Sequence, residues 1–249
     1  MEKLTVQTKK GLLTVDWTNK NDLAWYATQQ AGCYHADLSS VNWHDRDRFL
    51  PLHNEHFQNW NRDKWTDREK LGVFDLPDNA RVMDIGCGAA ISDLLLYSYL
   101  PSSTFYLLDN EGEWPSFCKP YDVSYTEDHP FYHSWKPVKD AIESSNFDLS
   151  RFNFLSPSDE FPKELDLVMS SFSWCYHYPK ETYWSNVVDS LKIGGKLFLD
   201  VRILQDRDII KEISEEMNAD PIKIDLDVGP EYLDDENETA YRCLWTRKA

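Results

Sequence analysis

Positive charge is in short supply: the 249 residues include 26 Lys plus Arg against 43 Asp plus Glu, a formal net charge of −17. Nucleic-acid binders usually carry a basic stripe that exchanges for condensed counterions. The balance therefore argues against nucleic acid and anionic membrane surfaces as partners, and a solvated acidic surface explains it more simply than a cationic substrate does. Paired cysteine is lacking too. Cys33, Cys87, Cys118, Cys175 and Cys243 are an odd, widely spaced set with no CxxC unit, which suits reduced thiols rather than a disulfide framework. No apolar run approaches a membrane span, and MEKLTVQTKKGLLTVDW lacks the unbroken apolar core of a secretion signal. The expectation is a soluble, cytoplasmic chain with no membrane partner. There is no internal repeat and no low-complexity run.

What is present divides near residue 80. Residues 1–78 are polar and aromatic, with Trp17, Trp25, Trp43, Trp60 and Trp65 among charges and no clear strand alternation. From Arg48 to Lys70 the apolar Leu50, Leu52, Phe57 and Trp60 predict a helix. Residues 1–78 thus look like an extension on a larger domain of residues 79–249. In that domain, short apolar runs ended by turn residues alternate with helical segments, the signature of a parallel sheet with crossover helices. Strands are predicted at 81–85, 104–108, 151–155, 165–170, 196–201, 222–227 and 241–247, and helices at 90–99, 138–145, 181–191 and 206–216. The link from Val228 to Ala240 is too short and polar for a crossover helix, so the last two strands should pair antiparallel at a sheet edge. The fold class is α/β: a doubly wound, seven-stranded, mostly parallel sheet with an antiparallel last strand and an N-terminal helical extension.

The segment RVMDIGCGAAISDLLL is an apolar strand, a glycine turn and an apolar-periodic helix. Gly86 and Gly88 permit a tight turn and let a ligand approach the backbone, while the first amides of the helix are donors. Asp84, inside the strand end, would repel a pyrophosphate. Asp109 ends the second strand, where a carboxylate can accept hydrogen bonds from both ribose hydroxyls. Acids at both places favour a ligand with a ribose and a cationic amino-acid end.

VMDIGCGAA, YLLDNE, LDLVMSSFSWCYHYP and LKIGGKLFLDV, in that order, resemble the motifs of class I S-adenosylmethionine-dependent methyltransferases, with their Rossmann-like fold, over about residues 81 to 248. The resemblance implies S-adenosylmethionine as cofactor. By it, Asp84, Gly86, Cys87 and Gly88 border the methionyl part, Asp109 holds the ribose with Asn110 beside the adenine, Ser156 or Ser158 lies near the adenine, and Ser170 to Phe172 lie near the sulfonium. Ala90 departs from the pattern, standing where the family often has a third glycine.

Methyl transfer from a sulfonium needs alignment first and, for a hydroxyl acceptor, a base. The loop after the fourth strand of the domain should face the transferred methyl. In it His177 is the candidate base for O-methylation, with Trp174, Tyr176 and Tyr178 as walls; a hydrogen-bonded structural histidine among core aromatics is the competing reading. Asp200 and Arg202 end the next strand, and Arg202 can anchor an anionic group of a substrate or close an internal ion pair. The N-terminal extension, as a substrate cap, and residues 111–135 are candidates for specificity. Cys33, His35, His44, His53 and His56 show no repeated ligand spacing, and Asp200 alone stands where metal-dependent relatives place carboxylates, so no metal is expected. SSFSWCYHYP also differs from the Asn/Asp-Pro-Pro-aromatic motif of enzymes that methylate nucleic-acid bases. The expected partner is a small-molecule acceptor, with no nucleic acid; the alternatives are another enzyme of the same fold that uses this cofactor for aminopropyl transfer or cleaves it, and a non-catalytic binding module that retains the fold.

Overall fold

The computed structural model describes residues 2–9, 11–17, 62–88, 90–109, 135–176, 178–203, 208–226 and 239–249. They fall into two compact units.

The first unit contains β1 (Glu2–Thr8), β2 (Gly11–Trp17), the first half of helix α1 (62–71), α2 (Ile91–Tyr99) and α3 (Trp135–Ser144). β1 and β2 form an antiparallel hairpin in register from Glu2↔Trp17 to Thr8↔Gly11. This corrects the expectation of no strands in residues 1–78. Val6, Leu13 and Val15 are buried at alternate positions, the period-2 pattern of a half-buried strand. Gly11, at φ 128°, makes the turn, and the Thr8 hydroxyl donates to the Gly11 carbonyl (2.8 Å). The hairpin packs on α2 and α3. The predicted helix from Arg48 is seen as residues 62–71; its earlier part lies outside the described residues.

The second unit holds the second half of α1 and the seven-stranded sheet. Its strands are β3 (Arg81–Ile85), β4 (Thr104–Leu108), β5 (Phe152–Leu155), β6 (Leu165–Ser170), β7 (Leu191–Ile203), β8 (Ile222–Asp225) and β9 (Thr239–Thr246). Their order is β5-β4-β3-β6-β7-β9-β8. β5, β4, β3, β6 and β7 are parallel, while β9 pairs antiparallel with β7 and β8. The helices are α4 (Trp184–Ser190) and α5 (Ile209–Met217). This is the doubly wound, mostly parallel sheet expected.

Met83, Ile85, Val168, Leu197 and Leu199 are among the buried residues of its core; burying such a side chain contributes about 1.5–3 kcal/mol. β6 is buried at every position, as a central strand covered on both faces must be. α5 is stopped at both ends by local chemistry: the Asp208 carboxylate accepts from the Lys211 amide (3.1 Å), and Asn218 closes the helix at φ 51°. β7 begins earlier than predicted, because the chain bulges through Gly194 (φ 80°) and Gly195 before regular pairing resumes at Leu167↔Lys196. A Cβ on Gly195 would meet the Leu165 and Lys192 carbonyl oxygens at 2.9 Å.

Candidate functional site

The strand order reverses between β3 and β6. Open α/β sheets bind ligands beyond the carboxyl ends of the strands at such a switch point. In this sheet those ends carry Asp84 and Gly86, Asp109, Ser156, and Ser170 to Phe172.

Asp84 sits in β3, in register with Leu107 of β4 and Met169 of β6. The Gly86 and Cys87 amides both donate to the Leu108 carbonyl (2.8 and 3.3 Å), so the turn folds back over the end of β4. Asp109 is the next residue and is thereby brought level with the turn. Asp84 and Asp109 are each only 5% exposed. Two largely desolvated acidic side chains thus stand at neighbouring strand ends.

The glycines differ. Gly86 (φ 72°) has no room for a side chain: a Cβ would lie 2.0 Å from Ser173 Oγ and 2.5 Å from Ser173 Cβ. The side-chain position at Gly86 is thus taken by the protein's own Ser173, through the close seating of the loop after β6. At Gly88 (φ 53°), nothing among the described residues lies within 4 Å of a Cβ. Ala90, fully buried, keeps the left-handed conformation (φ 53°) that a third glycine would adopt freely. Its Cβ costs about 1–2 kcal/mol there, so the departure shows as strain.

The loop after β6 is closely tied. Ser170 Oγ donates to the Ile85 carbonyl (2.7 Å) and accepts from the Trp174 amide (2.9 Å). The Tyr176 amide donates to the Ser173 carbonyl (3.1 Å) and the Cys175 amide to the Tyr178 carbonyl (2.9 Å). Phe172 and Cys175 sit at φ 52° and 66°, left-handed values that bulky residues hold only when their surroundings enforce them. His177 and Asn110 lie outside the described residues. Trp174 was expected to wall the substrate. It is 0% exposed, and its indole N–H donates to the Lys180 carbonyl (3.0 Å), so it is a core residue, while Tyr178 keeps partial exposure. The Arg202 guanidinium lies 6.0 Å from the centre of the Tyr176 ring, and the Arg202 amide donates to the Cys175 carbonyl (3.3 Å).

Ser156 is occupied locally: its amide and hydroxyl both donate to Asp159 (2.7 and 3.0 Å), holding that carboxyl below the usual range. Asp200, expected on the rim, is 0% exposed and bonded through both oxygens to Arg242 (2.8 and 3.2 Å). Its register partner on β9 is Arg242 itself, so the two side chains share a sheet face and neutralise each other. Among the described residues, no group of three or more His, Cys, Asp or Glu is placed to hold a metal.

Four residues at or behind this edge escaped the sequence. Ser173 fills the Gly86 notch. Burial, and then the charge of Asp109, push the Tyr183 phenol above its usual pKa, and its ring packs on Phe161 and Trp174. Arg68, 2% exposed, donates to Ser171 Oγ (2.6 Å), and Arg242, 3% exposed, also reaches Asp67 (3.1 Å). Their partners are distant in sequence, so no local pattern announced them.

No family model matches the chain, and no curated protein matches it in sequence. The solved structures it is similar to are mostly methyltransferases. A methyltransferase from Pyrococcus furiosus is 13% identical, with 75% of this chain and 82% of that chain covered and a TM-score of 0.47. An rRNA methylase from Streptococcus thermophilus is 11% identical (74% and 95% covered, TM-score 0.44), and a fibrillarin/Nop5p complex 14% (68% and 73%, TM-score 0.40). At such identities the likeness is one of fold. It nonetheless corrects one expectation. The acidic balance was taken to argue against nucleic acid and to favour a small-molecule acceptor, yet similar structures include an rRNA methylase and fibrillarin with Nop5p. Net charge sums a whole surface, while phosphate recognition needs only a local patch. No described helix is long and apolar enough to cross a membrane.

Proposed function

We propose that this chain is an S-adenosylmethionine-dependent methyltransferase and that the acceptor atom is an oxygen deprotonated by His177. The observation that carries the reading is the pair of buried carboxylates, Asp84 and Asp109, on either side of a glycine turn at the switch point of the sheet. The chemistry of this donor set fits the cofactor. Asp109 would accept from the ribose hydroxyls, Asp84 favours the cationic amino-acid end, and Gly88 leaves its Cβ position open among the described residues. When bound, S-adenosylmethionine supplies a methyl group on a positively charged sulfur, already a good leaving group. Phe172, partly exposed, would line the sulfonium side, while Ser170, fully buried with its hydroxyl shared between Ile85 and Trp174, would hold the loop behind it; the protein's remaining tasks are to align the acceptor and, at His177, to take its proton.

Titration calorimetry with S-adenosylhomocysteine tests the cofactor site. Asp109→Ala should weaken binding by more than about 1 kcal/mol, since a charged acceptor is lost from two hydroxyls; unchanged affinity would remove the ribose role. Cofactor labelled in the methyl group, incubated with fractionated extract, separates methylation from aminopropyl transfer or cofactor cleavage, because only methylation moves the label to an acceptor. His177→Ala should keep cofactor binding and lose that label.

A further inference from the structure

The loop from Ser171 to Tyr176 holds two non-glycine residues in the left-handed region, and its serine sits in the Gly86 notch. Such a backbone persists only if something outside the loop opposes its relaxation. The structure supplies that from two directions. From α1, Arg68 donates to Ser171 Oγ (2.6 Å) with its guanidinium 5.3 Å from the centre of the Phe198 ring of β7. From β9, Arg242 lies 6.0 Å from the centre of the Phe172 ring. Arg242 is fixed in turn, with Nε and Nη2 on the two oxygens of Asp200 and Nη1 on Asp67, the helix neighbour of Arg68. The two arginines therefore share one frame built from α1, β7 and β9, and each meets the loop at a different residue. Both guanidiniums are almost fully buried. A bidentate, stacked arginine keeps one geometry where a lysine would not.

We infer that Arg68 and Arg242 are positioning residues that clamp the loop after β6 in its strained form and so keep Ser173 seated over Gly86. The claim about the loop stands on these contacts. Its functional meaning rests on the cofactor reading above, in which Ser170 to Phe172 lie beside the sulfonium and the adenosine end is held elsewhere, by Asp109. The clamp then acts on the amino-acid half of the cofactor and leaves the adenosine half alone.

The test uses Arg68→Met, which keeps length and apolar packing and serves both arms, and Ser171→Ala, which removes the acceptor of Arg68 without threatening the fold and is read by hydrogen exchange alone, because Ser171 itself lies beside the sulfonium in the cofactor reading. Hydrogen exchange read by mass spectrometry should show the amides of residues 171–176 exchanging at least about tenfold faster in both variants, with α5 unchanged. Unchanged loop exchange, or acceleration spread evenly over the sheet, would overturn the clamp. Calorimetry forms the second arm: affinity for S-adenosylhomocysteine should fall by about tenfold while affinity for adenosine stays as it was. A parallel fall for both ligands would reveal a merely structural role and overturn the proposal. If the unaltered protein binds neither ligand, the cofactor reading fails, and the exchange result still decides the clamp.

Discussion

Two turns meet at the switch point of the sheet and obtain unusual backbone conformations by opposite means. After β3 the chain relies mainly on glycine: Gly86 and Gly88 hold φ 72° and 53° without a Cβ to oppose it, and only Ala90, at φ 53°, carries one. After β6 similar values occur at Phe172 and Cys175, whose side chains do oppose it, and the conformation is imposed by serine, arginine and backbone contacts. The first turn carries its own cause in its residue types. The second borrows its cause from α1, β7 and β9, so it is the one whose shape other parts of the protein can change.

The largest effect expected from this difference is at Arg242. Arg242→Met leaves Asp200, 0% exposed, without the partner that binds both its oxygens. Stranding a buried charge typically destabilises by about 3–5 kcal/mol. Chemical denaturation should show a loss of that size, and much less for the double variant Arg242→Met with Asp200→Leu, where no charge is stranded. Equal losses in both would mean that the frame acts by packing and not by charge.

A smaller effect separates the two glycines. Gly86→Ala places a Cβ against Ser173 at 2.0 Å in a left-handed backbone. Strain and overpacking together should destabilise by about 2–4 kcal/mol. Gly88→Ala meets nothing among the described residues and should lose only the conformational part, about 1 kcal/mol. In a Ser173→Gly background Gly86→Ala should approach the Gly88→Ala value; additivity would show that the two turns do not press on each other.

The same contrast explains what could be read from the chain. β3, β4 and β6 have the bounds that apolar runs and turn residues predict, and with them the positions of Asp84, Asp109 and Ser170 follow, because parallel strands present their carboxyl ends along one edge. Ser173 against Gly86, Arg68 on Ser171 at a separation of 103 residues, and Asp200 on Arg242 at 42 were not legible. A single contact between distant segments leaves no period in either segment. The β1–β2 hairpin is a different case: its alternation is present at Leu13 and Val15 but was obscured by the charges and aromatic residues around it.

The cysteines extend the comparison to pH. Cys87, in the glycine turn, is partly exposed, whereas Cys175 in the loop and Cys243 in β9 behind it are buried. Burial, with the charge of Asp200, pushes the Cys243 thiol from its ordinary 9.0 up to about 12, against a smaller opposing effect of Lys223. The folded protein thus keeps this thiol neutral where the unfolded chain has begun to lose its proton. The raised value means that the contribution to stability is complete below pH 9 and is lost as pH climbs from 9 toward 12. At pH 10 the loss should be on the order of 1 kcal/mol, visible as a steeper alkaline decline in stability for the unaltered protein than for Cys243→Ala. Alkylation at pH 8 should mark Cys87 and spare Cys243, since the latter would have to be both uncovered and ionised. If Cys243 reacted as fast as Cys87, the sheet beneath the loop would be open on the timescale of the reaction, and the rigid frame that distinguishes the second turn from the first would not exist.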